Sequence, residues 1–122
     1  MKKILYLHGL ESKAGGPKVE YLATQGAVFA PEMDYKNPQL KLLLDTMYQQ
    51  FKPEIVIGSS MGGYAASYLA TRYNVDTIMF NPALHSRSFD PVLDFVPSLD
   101  SDNKTIVVLG YTDEVIDPIT TL

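Results

Sequence analysis

The sequence predicts an α/β fold, a three-layer sandwich around a parallel sheet of about five strands. Short apolar runs alternate with helical segments along the chain, and this alternation is typical of parallel strands joined by right-handed crossovers. The chain has 122 residues, of which 46% are hydrophobic and 20% charged, as in an ordinary globular domain. We therefore expect residues 1–122 to form one domain with one sheet.

The first strand, helix and second strand are predicted from the opening third of the chain. Residues 4–7 form a continuous apolar run, as expected of a strand that is buried on both faces. Pro17 suits the first turn of a helix, and Gly26 suits its end. Residues 27–30 form the next apolar run, and a proline ends it. These signals predict a β-α-β unit.

A second helix and a third strand follow. Asparagine and proline at residues 37–38 are a cap residue and a first-turn residue, so we expect the helix to begin there. Apolar residues recur at helical spacing as far as Phe51, and the Lys-Pro pair at 52–53 ends the helix. Residues 55–57 form the third strand, which runs into Gly58.

The last elements are one helix and two strands. An alanine-rich helix is predicted at residues 64–73, a strand at 77–80 and a strand at 105–109. Residues 83–103 are rich in Ser, Asp and Pro, and we expect an irregular segment or a small lid there. A short helix near residues 92–95 is consistent with that composition.

Composition and charge exclude several classes of function. The ten basic residues are scattered and the net charge is −4, so no nucleic-acid surface is expected. No apolar run reaches the length of about 18 residues that a membrane span needs. The chain has no cysteine, which excludes disulfides, thiolate catalysis and cysteine metal sites and suits a reducing compartment. We expect a cytoplasmic protein.

One motif points to nucleophilic catalysis. Residues 58–62 read Gly-Ser-Ser-Met-Gly and fit G-x-S-x-G between a buried strand and a small-residue helix, the context of a nucleophile elbow. Ser60 would be the nucleophile, with a strained positive φ, and the Met61 N–H an oxyanion donor. Gly58 and Gly62 would keep strand and helix from clashing. The alternative is a glycine-rich turn that packs tightly or cradles a phosphate.

Two further loops follow predicted strands at the same edge of the sheet. After the first strand, Leu10 is a candidate second oxyanion donor, and Gly9 would let the backbone turn toward the serine. His8 is interpreted as a support for that loop. After the fifth strand, Asp113 is the better candidate for a triad acid and Asp117 the second. An ordinary acidic loop is the alternative there.

These residues resemble the α/β-hydrolase superfamily, and within it the small YqiA-like esterase family. The resemblance rests on residues 6–12, 30–32, 57–64, 80–83 and 113–117. It implies the strand order second-first-third-fourth-fifth and a serine esterase or thioesterase that needs neither metal nor organic cofactor. By motif, it also implies Ser60 as nucleophile, Asp113 as acid, and Leu10 and Met61 as oxyanion donors.

The sequence departs from that family in its histidines. The triad order in this fold is serine, acid, histidine, yet only nine residues follow Asp113 and none is a histidine. His8 and His85 both precede the acid, and His85 is at best a stand-in base. We therefore expect the chain to lack a C-terminal part, as a piece of a longer product or as a short form, and to hydrolyse esters slowly.

Three functions remain open from the sequence. The first is an esterase or thioesterase that acts on a small-molecule substrate through an acyl-enzyme. The second is a non-catalytic hydrolase-fold binding protein, and the third another serine-dependent transferase or a phosphate-binding domain. If a last strand is missing, residues 105–109 form an open sheet edge, and we expect homo-oligomers through it.

Overall fold

The structure, a computed structural model, describes residues 2–9, 17–81 and 104–108. Over these ranges the chain forms three helices and five strands. In chain order they are β1 (Lys3–Leu7), α1 (Pro17–Ala23), β2 (Ala27–Phe29), α2 (Leu40–Phe51), β3 (Ile55–Ser59), α3 (Met61–Tyr73), β4 (Asp76–Phe80) and β5 (Thr105–Val108).

The five strands form one sheet in the order β2-β1-β3-β4-β5, and every neighbouring pair is parallel. The predicted fold class and strand order are thus confirmed, with β3 in the centre. Leu7 pairs with Gly58, and Ser59 with Phe80. The carboxyl ends of β1, β3 and β4 therefore meet at one edge of the sheet, where ligand sites of open α/β sheets lie.

Helices cover both faces of the sheet and divide the core into two clusters. On one face α2 and α3 pack against β1 and β3, and on the other α1 contributes Val19 and Leu22. The larger cluster holds side chains with no exposed surface, each stabilising the fold by about 1.5–3 kcal/mol. They include Leu5, Leu7, Leu44, Val56 and Leu69.

Helix α3 begins three residues before its predicted start at residue 64. All ten residues from Met61 to Ala70 are buried. A helix that is buried all round has no polar face, so apolar periodicity does not mark its first turn. The amides of Gly63 and Tyr64 donate to the Ser60 carbonyl at 3.0 and 3.3 Å, so the helix begins directly after Ser60.

Helix α2 begins later than predicted. The predicted start at residues 37–38 is wrong, because Gln39 is the N-cap and Leu40 the first helical residue. Asn37 Oδ1 accepts the amide of Gln39 at 2.9 Å, and the Asn37 carbonyl accepts that of Leu40 at 3.1 Å. Asn37 thus closes a turn in front of the helix, the competing use of an asparagine side chain. The predicted end is confirmed, since Lys52 is a left-handed C-cap.

Strand β5 is the last strand of the described sheet. Its side chains Ile106 and Val108 are 53% and 41% exposed. Association of two copies along residues 105–109 stays a prediction. The irregular segment at 83–103, with its short helix, lies outside the described residues. Within the described ranges no helix is long and apolar enough to cross a membrane.

Candidate active site

Ser60 occupies the turn between β3 and α3 with an unusual backbone conformation. Its φ is 57° and its ψ −116°. Lys52 and Asn74 also have positive φ, but both are helix C-caps with ψ of 61° and 40°, in the ordinary left-handed region. Ser60 lies far from that region, a conformation that costs about 1–3 kcal/mol in a non-glycine residue. The positive φ predicted for Ser60 is confirmed.

Backbone hydrogen bonds hold the Ser60 turn in place. The Ser60 amide donates to the Phe80 carbonyl at 2.9 Å, so β4 fixes the entry to the turn. On the other side, the Ser60 carbonyl accepts the first hydrogen bonds of α3 from Gly63 and Tyr64. The sheet and the helix thus both fix the Ser60 backbone. A strained conformation persists only where the surrounding structure holds it in this way.

Close packing around the turn requires glycine at two positions. A Cβ atom on Gly58 would lie 2.1 Å from the Gly62 carbonyl oxygen. A Cβ atom on Gly62 would lie 2.0 Å from the Leu7 carbonyl oxygen and 2.6 Å from that of His8. The first turn of α3 therefore touches the backbone of β3 and the end of β1, so the Ser60 turn and the His8-Gly9 loop are neighbours.

The first turn of α3 presents backbone amides next to Ser60. Met61 is the first residue of the helix, and the first N–H groups of a helix have no acceptor within it. The partial positive charge of the helix terminus adds to them. The Met61 N–H is thus suited to stabilise an oxyanion formed at Ser60. Leu10, the other predicted donor, lies outside the described residues, as do Asp113 and Asp117.

His8 is buried, with 3% of its side chain exposed, and both ring nitrogens are engaged. Nδ1 lies 2.6 Å from the Gly9 carbonyl oxygen, so Nδ1 carries the proton and donates. The Met33 amide donates to Nε2 at 2.8 Å, so Nε2 is the acceptor and the ring is neutral. The carboxylate of Glu32, 3.4 Å from Nε2, therefore forms no ion pair with it. These hydrogen bonds support the His8-Gly9 loop. The one ring lone pair, on Nε2, already accepts the Met33 amide, so His8 has none left to act as a base.

Tyr35 also holds the His8-Gly9 loop, and sequence reasoning missed it. Its hydroxyl donates to the His8 carbonyl, and its ring meets the His8 ring edge to face at 6.1 Å. Only 2% of Tyr35 is exposed. The segment after β2 thus attaches to the end of β1 through Met33 and Tyr35. Tyr35 lies between the predicted second strand and the predicted second helix and belongs to no motif, so the sequence gives no signal of this contact.

A second hydrogen bond missed in the sequence connects β1 to Ser59, the residue before Ser60. Burial raises the pKa of Tyr6, and a side-chain hydrogen bond with Ser59 acts in the opposite direction. Tyr6 lies on the α1 face of the sheet beside Ile57. The bond joins neighbouring strands directly below the Ser60 turn, and it adds a side-chain contact to the backbone ladder there.

We expect the free energy of unfolding to fall less steeply with pH above pH 10 in Tyr35→Phe than in the wild type. Burial, and secondarily the neighbouring Tyr6, raises the pKa of Tyr35 above its ordinary value near 10. As the pH rises, the Tyr35 hydroxyl therefore loses its proton in the unfolded chain before it does so in the folded chain. Titration of this group leaves the free energy of unfolding unchanged below pH 10, and above pH 10 the free energy of unfolding falls by about 1.4 kcal/mol per pH unit. Urea unfolding between pH 9 and 11 measures the slope.

The matched control is Tyr21→Phe, because Tyr21 is 65% exposed. Tyr35→Phe also removes the hydrogen bond to the His8 carbonyl, so it lowers stability at pH 7 by about 1 kcal/mol. The pH slope separates the two effects. Equal slopes for wild type and Tyr35→Phe would contradict the buried, protonated tyrosine.

The described structure thus brings His8, Gly9, Gly58, Ser60 and Gly62 to one edge of the sheet. His85 lies outside the described ranges. Among residues 2–9, 17–81 and 104–108, no group of three or more His, Cys, Asp or Glu side chains is placed to hold a metal ion.

The chain was compared with protein-family models. Residues 3–102 match the model of an uncharacterised protein family, UPF0227. The matched span includes β1 to β4 and the Ser60 turn, and it covers far more than half of the chain. The chain belongs to the uncharacterised protein family UPF0227.

Proposed function

We propose that this chain carries the nucleophile of a serine hydrolase that cleaves carboxylic esters or thioesters. The observation that supports this most directly is the conformation of Ser60, with φ 57° and ψ −116° between a central strand and a buried helix. That placement is typical of a nucleophile elbow. The YqiA-like resemblance of the sequence points to the same reaction class.

In the proposed reaction, Ser60 Oγ attacks the carbonyl carbon of the substrate and its proton passes to a general base. The Met61 N–H stabilises the negative charge on the carbonyl oxygen. The carbon–oxygen or carbon–sulfur bond then breaks, and the leaving group takes up a proton. Water hydrolyses the acyl-enzyme and restores the Ser60 hydroxyl. By motif, we assign the acid to Asp113 and the second oxyanion donor to Leu10.

The general base of this reaction is not His8. Both of its nitrogens serve the His8-Gly9 loop, and its Nε2 accepts the Met33 amide. This observation favours the second candidate function, a hydrolase-like binding protein in which the Ser60 turn is retained without turnover. The two candidates differ in whether Ser60 reacts with an electrophile that mimics an ester.

A fluorophosphonate probe tests the proposal. We expect slow covalent labelling at Ser60, because an oxyanion site without a complete triad retains an acceleration of about 10³–10⁴ over water in other serine hydrolases. Mass spectrometry of the labelled peptide locates the adduct. Ser60→Ala should abolish it, and the matched variant Ser59→Ala should retain it. A folded chain that takes up no label during long incubation would support the non-catalytic candidate.

A further inference from the structure

An apolar groove of about 490 Å³ lies between α2 and the edge strand β2. Ser60 follows β3, and β1 separates β3 from β2, so the groove is a site apart from the Ser60 turn. Its volume falls within the range of small-molecule sites. Its lining residues are mostly apolar: Val28, Phe29, Leu43, Thr46, Met47, Gln50 and Phe51.

The groove forms where one side of α2 faces the edge strand β2. Leu43, Met47 and Gln50 lie three to four residues apart and so share one side of the helix. Among the described strands none lies beyond β2, so this side of α2 packs on the core only in part, through Met47. Phe29 and Leu43 are each 39% exposed, and the rings of Phe29 and Phe51 meet at 5.6 Å.

A lysine adjoins the aromatic part of the groove. The Lys3 ammonium lies 5.6 Å from the centre of the Phe51 ring and donates to the Phe51 carbonyl at 3.3 Å. Lys3 pairs with Ala27, two residues before Phe29, so Lys3 and Phe29 lie on the same face of the sheet. An ammonium has three N–H donors, and the Phe51 carbonyl takes one.

The acidic side chain of Glu54 also contacts Lys3. Its Oε1 accepts the main-chain amide of Lys3 at 3.3 Å, so the carboxylate is held at the backbone end of this residue. The Glu54 carboxylate reduces the positive potential near the groove, but it hydrogen bonds to the Lys3 amide and not to the Lys3 ammonium. The groove therefore combines an apolar lining with one cation beside it.

We propose that this groove binds the alkyl chain of an anionic amphiphile, a medium-chain or long-chain carboxylate, with its head group at Lys3. The apolar lining fits the chain, and the ammonium complements the carboxylate. A second copy is a poorer occupant, because β2 has only three residues to pair with another strand. The site is separate from Ser60 and goes beyond the proposed function.

Calorimetric titration with decanoate, decan-1-ol and decyltrimethylammonium tests the charge preference. We expect one decanoate per chain, bound more tightly than the alcohol, and the ammonium compound bound most weakly. Lys3→Met should weaken decanoate binding about two- to fivefold, the range for a solvent-exposed ion pair, and leave decan-1-ol unchanged. Lys41→Met is the matched control, because Lys41 is an exposed lysine of α2 that does not line the groove.

Two adjacent leucines test the location. Leu43→Gln should weaken both decanoate and decan-1-ol about tenfold, whereas Leu42→Gln should leave both unchanged. Leu42 does not line the groove. Leu42 and Leu43 are 61% and 39% exposed, so neither substitution disrupts the core. Ser60→Ala should bind decanoate like the wild type, which keeps this test independent of the proposed hydrolase.

Three results would overturn the proposal. The first is decanoate binding that does not saturate below its micellar concentration. The second is an equal loss of affinity in Leu42→Gln and Leu43→Gln, which would indicate unspecific adsorption. The third is equal affinity for decanoate and decyltrimethylammonium, which would remove the role of Lys3.

Discussion

Gly62→Ala is expected to lower the free energy of unfolding by about 3 kcal/mol or more, the upper end of what overpacking costs. The new Cβ atom would lie 2.0 Å from the Leu7 carbonyl oxygen and 2.6 Å from the Leu7 carbonyl carbon. These are backbone atoms at the end of β1, a strand paired on both sides. They cannot yield as a flexible side chain would, so the clash must lift α3 from the sheet.

Helix propensity acts in the opposite direction and is smaller. Alanine stabilises a helix interior by about 1 kcal/mol relative to glycine, so a loss of stability in Gly62→Ala can only come from the contact. Urea denaturation measures the free energy of unfolding. Gln49→Ala, an exposed change on α2, is the control and should stay within about 0.5 kcal/mol of the wild type. Wild-type stability in Gly62→Ala would show that α3 can move away from β1 without cost.

The same contact has a consequence for the chemistry proposed at Ser60. Because Gly62 touches the Leu7 and His8 carbonyls, the first turn of α3 is fixed against the His8-Gly9 loop. The Met61 amide, one residue earlier, is then fixed relative to that loop. Preorganised donors are what electrostatic stabilisation of an oxyanion requires. We therefore expect small structural changes around Gly62 to lower the rate of Ser60 labelling more than they lower the free energy of unfolding.

The fold was predictable because its signals are local. Each strand is a short apolar run, and most connections carry Gly, Pro or Asn. The strand order was predicted from the family resemblance. The Ser60 turn was predictable for the same reason, since five consecutive residues specify it. The start of α2 was not, because Asn37 can cap either a helix or a turn, and the choice depends on surrounding structure.

The contacts that support the site were not predictable from the sequence. Tyr35 reaches the carbonyl of His8, 27 residues earlier in the chain, and Met33 reaches its ring. Neither residue belongs to a motif, and only the pairing of β1 with β2 brings the segments together. The groove beside β2 likewise arises from the place of that strand at the sheet edge, which no local pattern encodes.

A second large effect is expected at Asp45, which joins α2 to α3. Its Oδ1 accepts the hydroxyls of Tyr68 and Tyr73 at 2.8 and 2.9 Å and lies 3.2 Å from Arg72 Nε. Tyr48 stacks on Tyr73 with ring centres 4.0 Å apart. Burial and the hydrogen bond to Asp45 raise the pKa of Tyr68. One carboxylate oxygen thus serves three donors from the neighbouring helix.

Asp45→Ala should lower the free energy of unfolding by about 3 kcal/mol, because hydrogen bonds to a charged acceptor contribute about 1.5–3 kcal/mol each. Most of the loss comes from Tyr68, because this residue is only 2% exposed and its hydroxyl loses the Asp45 carboxylate. Asp45→Asn keeps an acceptor oxygen and should lose about 1 kcal/mol. Arg72→Met should lose less than about 1 kcal/mol, because Arg72 is half exposed and surface ion pairs contribute little.

A double-mutant cycle of Asp45→Ala and Tyr68→Phe separates the hydrogen bond from the packing of α2 on α3. Tyr68→Phe retains the ring and removes only the hydroxyl. In the Asp45→Ala background that hydroxyl has already lost its Asp45 acceptor, so its removal costs less. We expect the double variant to be less destabilised than the sum of the single changes, by about 1.5–3 kcal/mol. Strict additivity would mean that the Tyr68 hydroxyl does not depend on Asp45. The loss in Asp45→Ala would then arise from Tyr73, whose hydroxyl donates to the same oxygen.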